Sequence, residues 1–280
     1  MKNQYPVRQL CQALQVSPSA YYEWQERQIH PSARAQQETA LSEDVKQIFQ
    51  QSRQCYGSPR IQQALRRQGH RHGRNRIARL MRQQRLNARP RRRFRVATTD
   101  SRHEHPIAPN RLAETPAPQR PNQIWVADIT YIPTQEGWLY LAANMDLFSR
   151  KIVGWAMSAA IDTELVLASW NMARQHRQPA GSVLCHSDRG CQYASGEFRL
   201  ALSQAQAVAS MSRKGNCYDN AAMESFWSTL KNELIHREQF VTLDQARRAI
   251  FEYIEVFYNR QRLHSSLDYL SPVDFESKNN

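Results

Sequence analysis

The hydrophobic rhythm of the chain changes near residue 122. Before it, apolar residues are sparse and recur at helical spacing. In "YGSPRIQQALRRQGHRHGRNRIARLMRQQRL", Ile61, Leu65, Ile77, Leu80 and Leu86 form a thin seam on two amphipathic helices, around a turn bracketed by Gly69 and Gly73. Ser58 is a good N-cap and Pro59 suits the first helical position, where its missing N–H removes no bond. An earlier stretch, "PVRQLCQALQVSPSAYYEWQER", joins a short amphipathic segment to an aromatic one through a Ser-Pro turn. It reads equally as a small helix-turn-helix or as a helical hairpin that simply packs.

After residue 122 the runs become β-rich. "QIWVADITYIP", "GWLYLAANMDL" and "RKIVGWAMSA" are separated by short turns and predict an antiparallel meander. "DTELVLASWNMARQH" is a helix capped by Asp162, and "GSVLCHSD" a short buried strand. "SGEFRLALSQAQ" is a further helix and "AVASMS" a further strand. In the helix "NAAMESFWSTLKNELI", Met223, Phe226, Trp227, Leu230 and Leu234 gather on one face, with Asn220, Glu224 and Lys231 in a stripe along its edge. Glu224 and Lys231 are separated by a rise of roughly 10 Å, too far for a direct ion pair. The chain closes with a long amphipathic helix and a basic-aromatic tail, "TLDQARRAIFEYIEVFYNRQRLHSSLDYLSPVDFE". The order β-β-β-α-β-α-β-α predicts an α/β fold whose sheet is antiparallel until helical crossovers begin, then parallel.

Residues 100–122 contain five prolines and little apolar material, which marks a linker. The expected organisation is therefore an N-terminal helical segment over 1–44, an arginine-rich helix-turn-helix with a basic arm over 45–99, the linker over 100–122, and an α/β core with its C-terminal helix and tail over 123–280.

Charge sharpens this division. Of the net +13, residues 1–120 hold 23 Lys+Arg against 8 Asp+Glu, whereas residues 121–280 hold 15 against 17. From Val45 to Thr99 there is no acidic residue, while Lys46 and 15 arginines fall in that window. An ordinary solvated face mixes signs because unrelieved like charge repels itself, so this segment is expected to contact phosphate. Arg60, Arg66, Arg67, Arg74, Arg76, Arg79 and Arg82 on the two helices, and Arg91, Arg92 and Arg93 in "RPRRRFRV", are the candidate DNA contacts. The 5 cysteines are scattered without a C-x-x-C pair, which argues against a disulfide framework or zinc ribbon and suits a reducing cytosol. No apolar run approaches membrane-spanning length, so a cytoplasmic protein is expected. His103 and His105, both in the linker, are not expected to bind metal.

Three acids stand out by position. Asp128 lies inside the first strand among residues expected to be buried, where an unpaired carboxylate needs a cation or several hydrogen bonds. Asp188 ends the fourth strand, at the carboxyl edge where α/β sheets place their sites. Glu224, on the edge of its helix, is within reach of both if that helix packs on the sheet. Carboxylates converging there raise one another's pKa values unless metal intervenes. Two Mg²⁺ ions roughly 4 Å apart suit such a set, activating an attacking water or 3′-hydroxyl and stabilising the leaving oxygen. Taken singly, Asp188 and Glu224 read as ordinary polar residues. Asp146 is a competing ligand, read as a turn-former because Ser149 and Arg150 follow, and Asp219 is read as a helix cap.

"WVADITYI", "MDLFSRKIVGW", "HSDRGCQY", "YDNAAMESFWSTLKNE" and "YIEVFYNRQRLHSSLDYLSP" resemble the blocks of the retroviral-integrase-type catalytic core. They resemble most closely the second-frame (OrfB) product of bacterial insertion-sequence-three-type transposases, and the arginine-rich segment resembles the helix-turn-helix preceding that core. Between Asp188 and Glu224 lie 35 residues, the interval characteristic of this superfamily, and Lys231 stands where the family carries Lys or Arg. The resemblance implies an RNase-H-like fold, a five-stranded mixed sheet flanked by helices. It implies metal-dependent DNA strand cleavage and strand transfer at the ends of an insertion sequence, with Asp128, Asp188 and Glu224 as the metal-binding triad. Mg²⁺ is the expected cofactor, two ions, with Mn²⁺ able to substitute. Lys231 would contact DNA near the element's end. Asn220 would line the same groove or serve helix N-terminal chemistry, and Arg213 and Lys214 lie on a loop that would close over DNA or stay a surface loop. The implied partners are the terminal inverted repeats, target DNA, an upstream-frame (OrfA) protein or a frameshift fusion with it, and further copies of the chain assembled on DNA. The alternative is a non-catalytic, DNA-binding second-frame product that modulates the full-length transposase.

Overall fold

The computed structural model describes residues 5–88, 105–213 and 220–279, in two units, Met1–Arg89 and Pro90–Asn280. In the first unit, α1 (Val7–Ala13) and α2 (Pro18–Ile29) form a helical hairpin, with Ser17 Oγ accepting from Ala20 N at the start of α2. Helix α2 buries none of its residues. Helix α3 (Ala33–Gln51) contributes Leu41, Val45, Ile48 and Phe49 to a small core, completed by Ile61 and Leu65 of α4 (Ser58–Arg67) and by Ile77 and Leu80 of α5 (Arg74–Gln83). The seam read from the sequence is that core, but it needs α3 to cover it, so the boundary expected at 44/45 falls inside a helix. Gly69, at φ +90°, makes the turn after α4, and Gly73 takes the N-cap of α5. Ser58 is the first residue of α4 rather than its cap, which is Gly57.

The second unit is built on a five-stranded sheet in the order β3-β2-β1-β4-β5. Strands β1 (Ile124–Thr134), β2 (Gly137–Asp146) and β3 (Ile152–Ser158) form the expected meander. After α6 (Thr163–Arg177) the chain enters β4 (Leu184–Ser187), parallel to β1. It then runs through α7 (Cys191–Ala194) and α8 (Gly196–Gln204) into β5 (Val208–Met211), parallel to β4. One sheet face, carrying Ile132, Leu139 and Leu141, packs against α9 (Ala221–Glu233) and α10 (Leu243–Phe251) through Phe226, Leu230 and Ile250. The other, carrying Trp125, Ala127 and Val153, packs against α6 and α8 through Leu165, Trp170 and Phe198. This is the RNase-H-like arrangement, a mixed sheet between helical layers. Among the described residues no helix is long and apolar enough to cross a membrane.

The expected linker behaves differently where it is described. Arg111 N and Leu112 N donate to Ser210 Oγ at 3.0 and 3.2 Å, and Ala108 and Leu112 pack on the core. Prolines stiffen this stretch, but two apolar anchors and one hydroxyl are enough to hold it on the sheet. The long closing helix is also interrupted. After α10 the chain widens into π-helical turns over Glu252–Tyr258, and then reaches α11 (Pro272–Asn279). This detour aims the Asn259 amide at edge strand β3, where it accepts from Ile152 N and donates to Ile152 O, both at 2.9 Å. Those are backbone groups that an edge strand would otherwise expose.

Gly154 lets α6 lie directly on β3, because a Cβ there would collide with Ser169 O and the Ala173 backbone. Since the obstacle is backbone, Gly154→Ala is expected to destabilise this unit by about 1–3 kcal/mol or more. A melting temperature equal to wild type would show that α6 can retreat at no cost.

Candidate active site

Strand β1 lies between β2 and β4 and pairs in parallel with β4 at Trp125↔Cys185 and Val126↔His186; Asp128 lies two residues past that pairing, and Asp188 is the residue after the end of β4. The two carboxylates are near enough for the charge of Asp188 to act on Asp128. Asp128 shares its sheet face with Val126 and Ile132, the face covered by α9. There the Trp227 indole N–H donates to Asp128 Oδ2 at 2.9 Å, and Ile129 N donates to Oδ1 at 2.9 Å. Asp188 Oδ1 accepts from Gly190 N at 2.9 Å, shaping the turn into α7. Glu224 is exposed in the first turn of α9, one turn before Trp227, on the helix that the Trp227–Asp128 bond ties to β1.

Burial pushes the Asp128 carboxyl up to about 7, and the charge of Asp188, with a smaller contribution from Glu224, adds to that rise against the Trp227 and Ile129 donors. Tyr193, buried on α7, has its phenol held well above the ordinary value by burial and then by the charges of Asp128 and Asp188. Lys231 is half-buried with Nζ 4.8 Å from the Tyr131 ring centroid. Burial lowers its pKa and the Asp128 charge opposes this.

The donor set is hard oxygen throughout, and its crowding is the kind that a divalent cation relieves by displacing a proton. Among the described residues no three His, Cys, Asp or Glu side chains already stand together as a metal site.

The other acids and cations sort by tertiary partner. Asp146 is fully buried at the far end of β2, accepting from Asn122 N and Phe148 N at 2.7 and 3.0 Å and meeting Arg177 at 3.3 Å, so it is structural. Asn220 is buried rather than lining an open groove. Among the described residues it makes no side-chain cap bond and its Oδ1 has no hydrogen-bond partner. Arg213 is exposed. Lys214, Asp219, Arg91, Arg92 and Arg93 lie outside the described residues. On the arginine-rich helices, Arg76 and Arg79 both pair with Glu38 of α3, which Arg76's hydrogen bond in particular holds below the usual carboxylate range. The acid-free window is thus partly neutralised from outside itself. Arg60 sits over the Tyr56 ring at 5.7 Å, while Arg66, Arg67, Arg74 and Arg82 are exposed. Sequence reasoning took Trp227 only as an apolar residue. Its signal was available, since a buried indole N–H needs an acceptor and the acidic strand was expected beneath it.

The chain matches the family described as "Integrase core domain" over residues 118–217 and 224–279, and an "HTH-like domain" over residues 36–94. It is 46% identical over 269 residues to an insertion element IS600 uncharacterized 31 kDa protein of Shigella sonnei, covering 96% of this chain and 98% of that one. It is 39% identical over 276 residues to the transposase InsF for insertion sequence IS3A of Escherichia coli, covering 99% and 96%. Among solved structures it is similar to the HTLV-2 integrase catalytic core domain in complex with magnesium, at 14% identity and a TM-score of 0.43, covering 56% of this chain and 97% of that one.

Because the Asp128 carboxyl binds its proton more tightly folded than unfolded, its ionisation destabilises the cation-free protein. The penalty is absent below the ordinary carboxylate range, grows as pH rises toward 7, and is complete above it. In chelator, the wild-type melting temperature is expected to fall between about pH 5 and pH 8 by a few degrees more than that of Asp128→Asn. Parallel curves would mean that Asp128 is not the titrating group.

Proposed function

We propose a mechanism from one premise: the chain belongs to the insertion-sequence transposase family with an integrase-type catalytic core, and it is a DNA polynucleotidyl transferase. In the proposed arrangement Asp128, Asp188 and Glu224 are the catalytic acids and hold two Mg²⁺ ions, with Mn²⁺ able to take their place. The observation carrying this reading is the nearness of Asp188 to the buried Asp128, whose pKa burial and then the Asp188 charge raise to about 7. When bound, the cations supply Lewis acidity at the scissile phosphate and lower the pKa of the attacking water.

The chain's own residues do the rest. Asp128 keeps a proton near neutral pH and yields it on cation binding, which makes the site's affinity rise with pH up to about 7. Trp227 holds the Asp128 carboxylate in one orientation and ties it to α9. Lys231, two helical turns past Glu224, is placed to meet the phosphates of the same strand. Hydrolysis frees a 3′-hydroxyl at the element's end, and attack of that hydroxyl on target DNA then transfers the strand, in-line each time and with no protein–DNA bond. The exposed Arg66, Arg67, Arg74 and Arg82 supply sequence-independent grip on the backbone. The wider setting of this reading is a cytoplasmic, nucleoid-associated assembly. In it, copies of the chain engage the terminal inverted repeats and target DNA together with an upstream-frame protein.

The test is nicking of supercoiled plasmid in Mg²⁺ or Mn²⁺. Asp128→Asn, Asp188→Asn and Glu224→Gln are each expected to lose more than the about hundredfold that removing a ligand's supporting partner typically costs, with DNA binding kept. Retained nicking in any one of them removes that residue from the triad. Lys231→Ala is expected to weaken DNA binding while the Mg²⁺-induced rise in melting temperature stays at its wild-type size. A smaller rise would place Lys231 in the cation site instead.

A further inference from the structure

Strand β1 outruns its neighbour. Its pairing with β4 ends at Val126↔His186, whereas its pairing with β2 continues to Thr134↔Gly137. Beyond the aspartates, the described sheet therefore has an open edge, and aromatic side chains collect there. Tyr131 pairs across to Tyr140, and Trp138, next to the hairpin turn, stands T-shaped to Tyr131 with centroids 4.9 Å apart. With Ile129, Thr130 and Ile161 these rings line an open cleft of about 330 Å³. Trp138 is 50% exposed although strand positions one residue away, such as Leu139, are fully buried. The Lys231 ammonium over the Tyr131 ring gives the shelf a cation, and none of the lining residues is acidic.

We infer that this shelf binds an unpaired nucleobase of the DNA strand being cut or joined. The inference rests on the proposed placement of that strand at Asp128, Asp188 and Glu224. Tyr131 lies three residues past Asp128 on β1, a rise of about 10 Å, and the odd interval turns it to the other sheet face; the Lys231 ammonium over its ring at the open edge ties it back to α9, the helix that carries Glu224. Exposed rings stack on any base face, and a cation beside them meets the phosphate that accompanies the base. A paired base inside a duplex cannot present its face, so the occupant is a nucleotide frayed or flipped from the end of the element. An already unpaired base spares the unstacking energy. The shelf would hold the strand end open while the acids act on it.

The experiment measures binding of the full chain, in chelator so that nothing is cleaved, to three probes of one arbitrary sequence. These are a blunt duplex, the same duplex with a short unpaired 3′ end, and that end made abasic. Wild type is expected to prefer the unpaired end over the blunt duplex by about tenfold to a hundredfold, and the abasic end is expected to bind like the blunt one. Trp138→Ala should bring the preference to unity with blunt-duplex affinity unchanged, and Trp138→Phe should restore most of it. An equal preference in Trp138→Ala, no preference in wild type, or undiminished binding of the abasic probe would each overturn the inference. Because binding is read without cleavage, a failed triad assignment shows up as nicking by Asp188→Asn and leaves this result intact. Failure of the shelf likewise leaves the triad standing.

Discussion

Two carboxylates cannot share a poorly solvated corner without help, and Asp128, just past the β1/β4 pairing, lies near enough to Asp188 to feel its charge. The surrounding structure is arranged around that repulsion. Trp227 and the Ile129 amide each give one hydrogen bond to Asp128, Gly190 gives one to Asp188, and β4 stops at Ser187 so that both acids reach the edge of the sheet. The donors lessen the repulsion without cancelling it, which is why the Asp128 pKa remains near 7. A site left short of positive charge is one that a cation completes.

The acids act together only if α9 cannot roll, because Glu224 and Lys231 both ride on it. Its far end is held by Glu233, which is buried and takes a bidentate pair from Arg262, both bonds at 2.8 Å, and the Tyr253 hydroxyl at 2.9 Å. Such a pair is weak evidence of net stability, since desolvation offsets much of the attraction, but once formed it is costly to break from one side. Its effect here is on geometry: it keys the helix to the C-terminal tail. A second buried cluster, Arg177 with Glu276 and Asp146, does the same for α11 and α6 at the opposite end of the sheet. The tail is therefore part of the frame that positions the site.

The N-terminal unit faces a different constraint, the mutual repulsion of many arginines around a thin core. Glu38 relieves it at Arg76 and Arg79 and leaves Arg66, Arg67, Arg74 and Arg82 facing water.

Much of this was legible in the sequence. Period-two runs gave the three-stranded meander, capping and periodicity gave α6, α8 and α9, and the interval from Asp188 to Glu224 within its flanking blocks pointed to the family. These are local signals, carried by residues a few positions apart, and by a resemblance written in contiguous motifs. What only the tertiary structure decided involves groups far apart in the chain. Glu38 reaches into an acid-free window, Ser210 pins a proline-rich stretch, Asn220 is buried beneath the start of a helix whose edge looked wet, and Asn259 covers a strand a hundred residues earlier. Trp227 belongs with them, apolar by its helical spacing and yet the donor that orients the central acid. The reason is physical: periodicity reports which face of an element is buried, whereas the partner of a buried polar atom is set by the packing of elements that the chain brings together only when it folds.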